Sequence, residues 1–128
     1  MIADDSGSGV AGLARRWVFA RVIGPSMSPT LRHGDRLLVR RLRPEQPVPP
    51  GAVVLARFPA RPELLVVKRV ERAESGGSWV VGDNALLADD SRKYGVAVPV
   101  GRAVARLWPR PGRIPGPPPD VGDLLGYS

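Results

Sequence analysis

The chain has 128 residues, contains no cysteine and carries a formal net charge of +7 at pH 7. This length fits a single domain with one modest core, and the lack of cysteine excludes disulfides, a cysteine nucleophile and a thiolate metal site. His33 is the single histidine, so a multi-histidine metal cluster is excluded and the sequence predicts neither a metal nor a cofactor. Basic charge favours acidic partners, but the arginines are scattered and no reading motif accompanies them, so we expect no nucleic-acid partner.

The sequence also predicts no integral membrane segment. The most apolar N-terminal stretch, residues 10–23, is interrupted by Arg15, Arg16 and Arg21, whereas a spanning helix needs about twenty largely uncharged residues. The same stretch is too short and too charged for a secretory signal. We therefore expect a soluble chain in the cytoplasm, or one attached peripherally to a membrane.

The predicted elements are almost all strands. After a flexible leader over residues 1–13, residues 16–23 alternate well enough for a strand, with a short helix over 12–20 as the alternative. Five further strand segments follow from alternation or β-branched runs: residues 36–42, 52–58, 64–70, 78–81 and 94–108, the last divided at Gly101.

Turn-forming residues separate these strands. A proline-rich loop covers residues 43–51 and a turn 59–62, a hairpin connection is predicted at 74–77, and a long polar loop at 82–93. The pattern predicts an all-β domain over residues 14–108, a curved and mostly antiparallel sheet or barrel. Residues 109–128, rich in proline and glycine, are predicted to be a disordered tail.

One serine stands out by its neighbours. Residues 24–31 read GPSMSPTL, so Ser26 lies between residues that impose special backbone geometry and should be presented at a turn. A presented hydroxyl is a candidate nucleophile, but it needs a base to take its proton. His33 is close in sequence, but the sequence favours a solvated turn histidine over a base for Ser26.

Lys68 is the better candidate base. It lies in the apolar run LLVVKRV, where alternation places it on the same face as Leu64, Val66 and Val70, and burial lowers the pKa of a lysine. Only two of the 19 basic residues are lysines, and arginine cannot act as a base, so a lysine here suggests that deprotonation matters. The alternative is a lysine on the solvent face with its stem packed on the strand. Lys93, in a polar loop, is the weaker candidate.

With these residues in view, the sequence resembles the type I signal peptidase family of Ser/Lys-dyad proteases in three blocks in the same order. GPSMSPTL with Gly34-Asp35 is similar to the nucleophile box, and Val67-Lys68-Arg69-Val70 is similar to the box with the general base. The third block combines GDN at residues 82–84 with DSR at 90–92. The resemblance implies a signal peptidase/LexA-like β-fold in which Ser26 attacks the scissile carbonyl and Lys68 moves the proton.

The resemblance also implies supporting roles. The backbone N–H of Ser26 would form an oxyanion hole, and Gly24 stands where the family often carries a second, hydroxyl donor. Ala88 stands where some members carry a hydroxyl that orients the lysine. Met27 is expected in the substrate groove, with a core position as the alternative. Structural roles behind the dyad are expected for six residues. For Asp83, Asn84 and Ser91, turn chemistry alone is the alternative. Asp90 and Arg92 are expected to form an ion pair in which Arg69 also takes part.

The expected partner is a protein precursor with a short N-terminal propeptide. The chain shows no membrane anchor and only a hairpin between the second and third blocks, and in this it is similar to the soluble maturation proteases of nickel-type superoxide dismutase. Three alternatives remain open: general signal-peptide processing, a LexA-like self-cleaving regulatory domain, and a non-catalytic binding module.

Overall fold

The computed structural model describes residues 2–4, 16–87 and 89–118. These residues form mostly antiparallel β-structure, which confirms the predicted all-β class. The strands are β1 (Ile2–Asp4), β2 (Trp17–Val22), β3 (Arg36–Arg41), β4 (Val53–Phe58), β5 (Arg61–Glu74), β6 (Gly77–Val81), β7 (Val98–Trp108) and β8 (Gly112–Arg113), with one short helix, α1 (Ser91–Tyr94). Within the described ranges no helix has the length and apolarity to span a bilayer.

The strands form one sheet in the order β1-β2-β3-β7-β4-β5-β6, with β8 added to β7. β7 is the central strand, because it pairs with β3 along one part and with β4 along another. Both pairings shift register at bulges, and bulges bend and twist a sheet. Gly101 lies at this crossing, where an added Cβ would come 2.5 Å from Cγ1 of Val39, so only glycine lets β3 and β7 approach this closely.

The core consists of two apolar clusters separated by β4 and β5. Successive side chains of a strand point to opposite faces, and β4 sends Val53 and Leu55 to one cluster but Val54 and Ala56 to the other. Such strands read as continuous apolar runs because both of their faces are covered. The four residues before Lys68 in β5 likewise alternate between the two clusters, so both faces of the strand are packed there.

Three elements differ from the sequence prediction. β5 is twice as long as the predicted 64–70 segment, because tight turns at both ends let it pair with β4 and β6 over its full length. Residues 98–108 form one bulged strand instead of two. A helical turn, α1, stands in the predicted 82–93 loop, because the Asp90 carboxylate caps it by accepting from the N–H of Arg92.

Near the N-terminus, residues 17–22 form a strand, so the alternative of a helix over residues 12–20 does not hold there. Residues 5–15, which include most of the predicted leader, lie outside the described residues.

Packing continues beyond Trp108, where the sequence predicts the domain to end. Arg113 pairs with Ala105, Ile114 packs on the first core cluster, and the carbonyl of Pro115 accepts a hydrogen bond from Arg69. Proline has no backbone N–H donor, but its carbonyl can still accept a hydrogen bond, as that of Pro115 does here.

Candidate active site

Ser26 lies in the turn that leads out of β2. Gly24 has a φ of 91°, in the left-handed region that glycine enters without a steric cost. The turn is closed by hydrogen bonds from the N–H of Ser28 to the carbonyl of Pro25 and from the N–H of Leu31 to the carbonyl of Met27, both 3.0 Å. Met27 and Leu31 are fully buried, so they fix the turn to the core and leave Ser26 half-buried between the core and solvent.

Met27 is a core residue and does not line the substrate groove, so that expectation is wrong and the core alternative holds. Its side chain has no exposed area and packs in the first apolar cluster. Its Sδ lies 3.4 Å from the backbone N–H of Asp83, which donates to it. An unbranched, polarizable thioether can fill this irregular space between the cluster and a polar backbone.

Lys68 lies in the middle of β5 and borders the same cleft as Ser26. Its side chain is buried, with 2% of the residue exposed, so the solvent-facing alternative does not hold. The cleft has a volume of about 310 Å³ and is lined by mostly apolar residues. Its lining residues are Ile23, Gly24, Pro25, Ser26, Leu64, Val66, Lys68, Leu87, Asp89 and Tyr94.

The surroundings of Lys68 favour its neutral form. Burial lowers the pKa of Lys68, and this outweighs the opposite influence of the Asp90 and Asp89 carboxylates. In the part of the chain that the structure describes, no carboxylate forms an ion pair with the Lys68 amine. Because its pKa is lowered, Lys68 is neutral more often than an exposed lysine at the same pH, and it is a better proton acceptor.

The GDN turn holds the serine turn in place. The backbone N–H of Asn84 donates to the carbonyl of Ser26 at 3.0 Å, and its Nδ2 donates to the carbonyl of Pro25 at 3.1 Å. A Cβ added to Gly82 would lie 2.6 Å from the carbonyl oxygen of Ser26 and 3.4 Å from Nζ of Lys68. These two groups occupy the space that a side chain at position 82 would need, which accounts for the glycine.

Asp83 connects three segments below the cleft. Its carboxylate accepts two hydrogen bonds from Arg69, at 2.9 and 2.7 Å, and one from the hydroxyl of Thr30. The Arg69 and Asp83 side chains are 5% and 3% exposed, so this is a buried ion pair. Arg69 also donates to the carbonyl of Gly51. The expectation that Arg69 joins the Asp90–Arg92 pair is therefore wrong, because adjacent residues of a strand point to opposite faces and Arg69 points away from the Lys68 side.

Asp90 and Arg92 form the expected ion pair, with 2.7 Å between Arg92 Nη2 and Asp90 Oδ2. Burial alone would raise the pKa of Asp90, but the hydrogen bonds from Arg92 and from the backbone N–H of Gly82 hold the pKa below its usual range. The hydroxyl of Ser91 is buried and accepts from the N–H of Val80 at 2.8 Å. These contacts fix the loop that carries Gly82, so the three residues have structural roles.

Two further sequence candidates, His33 and Lys93, are exposed and are not among the residues that line the cleft. His33 is exposed, and its Nδ1 accepts the backbone N–H of Gly24 at 3.0 Å, so it supports the turn and the Gly24 N–H is already used. Lys93 is exposed and pairs with Asp89 at 3.2 Å. Ala88 lies outside the described residues.

Asp89 is a cleft residue that sequence reasoning missed. It borders the cleft and acts electrostatically on Lys68, but it sits in a run of polar loop residues, and no pattern separates it from its neighbours. Tyr94 was missed for a similar reason: it reaches the cleft because α1 turns it inward against Phe58, with 5.0 Å between the ring centroids.

Comparison with known proteins identifies a peptidase family. Residues 8–97 match the family described as Peptidase S24-like. The chain is 33% identical over 110 residues to mitochondrial inner membrane protease subunit 1 of Xenopus tropicalis, a match covering 67% of this chain and 66% of that protein. It is 34% identical over 116 residues to mitochondrial ATP-independent inner membrane protease subunit 1a of Arabidopsis thaliana, covering 69% of this chain and 68% of that protein.

A third relative is mitochondrial inner membrane protease subunit 1 of Schizosaccharomyces pombe, with 34% identity over 113 residues covering 69% of this chain and 71% of that protein. The matches thus span about two thirds of the relatives' length. The family match includes the serine turn, Lys68 and the GDN and DSR segments. The chain belongs to the Peptidase S24-like family, within the superfamily of signal peptidase I and LexA-like proteases.

Proposed function

We propose that this protein is a serine endopeptidase in which Ser26 is the nucleophile and Lys68 the general base. The observation that carries the proposal is that a presented serine and a buried lysine with a lowered pKa border one apolar cleft. The peptidase family and the protease names of the relatives support the reaction class. The division of roles between the two residues is our inference from their chemistry.

In the acylation step, the neutral amine of Lys68 takes the proton from Oγ of Ser26 while Oγ attacks the scissile carbonyl carbon. The carbonyl oxygen becomes an oxyanion, and we assign the backbone N–H of Ser26 as the donor that receives it. That N–H donates to no acceptor among the described residues. One such donor contributes about 2.7–4 kcal/mol to transition-state stabilisation.

In the second half of the reaction, protonated Lys68 gives its proton to the leaving amine and becomes neutral again. It then takes a proton from the water that attacks the acyl-enzyme ester, and gives that proton to Oγ of Ser26 as the peptide carboxylate leaves. The apolar walls of the cleft keep Lys68 poorly hydrated through both steps. Gly24, whose N–H is held by His33, supplies no second oxyanion donor from its backbone.

The proposed substrate is a protein precursor from which a short N-terminal propeptide is removed. A cleft of about 310 Å³ with apolar walls suits small, uncharged side chains next to the cleaved bond. The finer assignment, the precursor of nickel-type superoxide dismutase, rests on the resemblance of the sequence blocks. We place the protein in the cytoplasm or at a membrane surface, the latter supported by relatives named for an inner membrane.

Two measurements test the proposal. An alkyne-tagged β-lactone should acylate Ser26, located by peptide mass spectrometry, and labelling should be lost in Ser26→Ala. Incubation with the nickel-type superoxide dismutase precursor should give one product with a new N-terminus, again only with Ser26 present. Absence of labelling at every pH would reject the nucleophile and favour a binding module. A purified chain that shortens itself on standing at raised pH would instead support the self-cleaving alternative.

We expect Gly82→Ala to reduce kcat/KM about 10²-fold, the scale of a misplacement near 1 Å between reacting groups. The reason is that the new methyl group would need the space of the Ser26 carbonyl oxygen, 2.6 Å away. Steady-state kinetics on the cleaved precursor measures the effect, and circular dichroism checks the fold. Gly112→Ala is the matched control, because its added Cβ meets no atom within 4 Å. Equal kinetics for the two variants would contradict this account.

We expect Asp89→Asn to move the rising limb of the pH–kcat/KM profile to lower pH. Asp89 raises the pKa of Lys68, so its neutralisation lowers that pKa further and increases the neutral fraction of the base at a given pH. The rate of β-lactone labelling against pH gives the same readout without a substrate. Glu74→Gln, a carboxylate at the far end of β5, should leave the profile in place. A shift towards higher pH would refute the electrostatic argument.

A further inference from the structure

Three exposed arginines and the buried Arg69 border a groove that, among the described residues, shares none with the cleft of Ser26 and Lys68. Arg40 of β3, Arg102 of β7 and Arg113 of β8 line a groove of about 490 Å³, and all three are exposed. Its walls include the apolar side chains of Leu42 and Ile114. Arg69, which also contacts this groove, directly follows Lys68 and points to the opposite side of β5, so the groove and the cleft lie on opposite faces of that strand.

The charge of this groove is not balanced within the described part of the chain. Arg40 and Arg102 are direct cross-strand partners, and like charges in such positions destabilise a sheet. Among the described residues, the groove lining contains no aspartate or glutamate, and no ion pair includes Arg40, Arg102 or Arg113. Of the four arginines that border the groove, Arg69 alone has a carboxylate partner in the part of the chain that the structure describes, and that partner is Asp83.

We propose that this arginine groove binds an acidic peptide segment of a partner protein, with carboxylates on the guanidinium groups and aliphatic side chains between them. The planar guanidinium matches a carboxylate in two parallel hydrogen bonds. The apolar walls at Leu42 and Ile114 suit aliphatic neighbours in the same peptide. Single-stranded nucleic acid is the poorer fit, because the described lining residues include no aromatic side chain on which a base could stack.

Fluorescence anisotropy tests the proposal on the full chain. The probe is a fluorescein-labelled 12-residue peptide of alternating Glu and Val, and its partner control has Gln in place of Glu. We expect the Glu peptide to bind at least about tenfold more tightly than the Gln peptide, with the difference shrinking as salt rises. Arg40→Gln/Arg102→Gln should weaken binding of the Glu peptide by at least about tenfold. The charge-matched control Arg61→Gln/Arg110→Gln, outside the groove, should not.

Three results would overturn the proposal. Equal losses in the two double variants would mean that only net charge matters, and tighter binding of an oligothymidine than of the Glu peptide would point to nucleic acid. The sequence of residues 119–128 contains two acidic residues, Asp120 and Asp123. Binding seen only in the double variant Asp120→Asn/Asp123→Asn would identify the occupant as this chain's own C-terminal segment. A ligand-free measurement adds support: Arg102→Gln should raise the thermal midpoint at low salt and not at high salt, because it removes the repulsion from Arg40. An unchanged midpoint would count against the unbalanced charge.

Discussion

Replacement of Lys68 by Met should abolish peptidase activity and leave the protein at least as stable as the wild type. Loss of a general base lowers the rate by about 10²- to 10⁴-fold, and methionine keeps the length and apolar stem of the side chain. The stability is retained because the variant no longer buries an amine, whose charged form is penalised by desolvation. Precursor cleavage measures the first effect and thermal unfolding the second.

Lys68→Arg separates charge from basicity. Arginine stays protonated in a protein, so this variant should be as inactive as Lys68→Met although it keeps a cation. Lys93→Met is the matched control for the other lysine, which is exposed and paired with Asp89, and it should retain turnover at alkaline pH. Substantial turnover in Lys68→Arg would remove Lys68 from the role of base and with it the proposed mechanism.

Replacement of Arg69 by Met should lower the free energy of unfolding by about 3–5 kcal/mol, the cost of leaving one partner of a buried ion pair alone. Asp83 would keep only the hydroxyl of Thr30 as a side-chain donor, in a site where 3% of its side chain is exposed. Since a whole domain is stable by only about 5–15 kcal/mol, this is the largest stability effect we expect. Urea unfolding followed by tryptophan fluorescence measures it.

Two variants control this result. Arg72→Met, on the same strand, breaks half-exposed pairs with Glu71 and Glu74 and should cost less than about 1 kcal/mol. The double variant Arg69→Met/Asp83→Leu removes both charges and should recover part of the loss, because no unpaired buried charge remains. If Arg69→Met cost no more than Arg72→Met, the buried pair would not be what joins β5, the GDN turn and the serine turn.

The pairing of Ser26 with Lys68 in one cleft could be anticipated because both carry local signals. A serine between glycine and proline is recognisable as a turn residue, and a lysine in an apolar strand of an arginine-rich chain is recognisable as unusual. The burial of Lys68 follows from its flanking residues, since β5 is covered on both faces. The roles of Asn84 and Gly82 were not readable in this way, because they depend on the distance between two turns far apart in sequence.

By itself, the sequence determined the all-β class, most strand positions and the two chemical groups of the site, because alternation, turn residues and apolar flanks act within a few residues. The tertiary structure alone decided that Arg69 contacts Asp83 and does not join the expected pair of Asp90 and Arg92. It also decided that Met27 is buried and that Asp89 borders the cleft. Ion pairs and clefts depend on strand order and register, which bring together residues from β3, β5, β7 and the GDN turn, and no local pattern encodes that order.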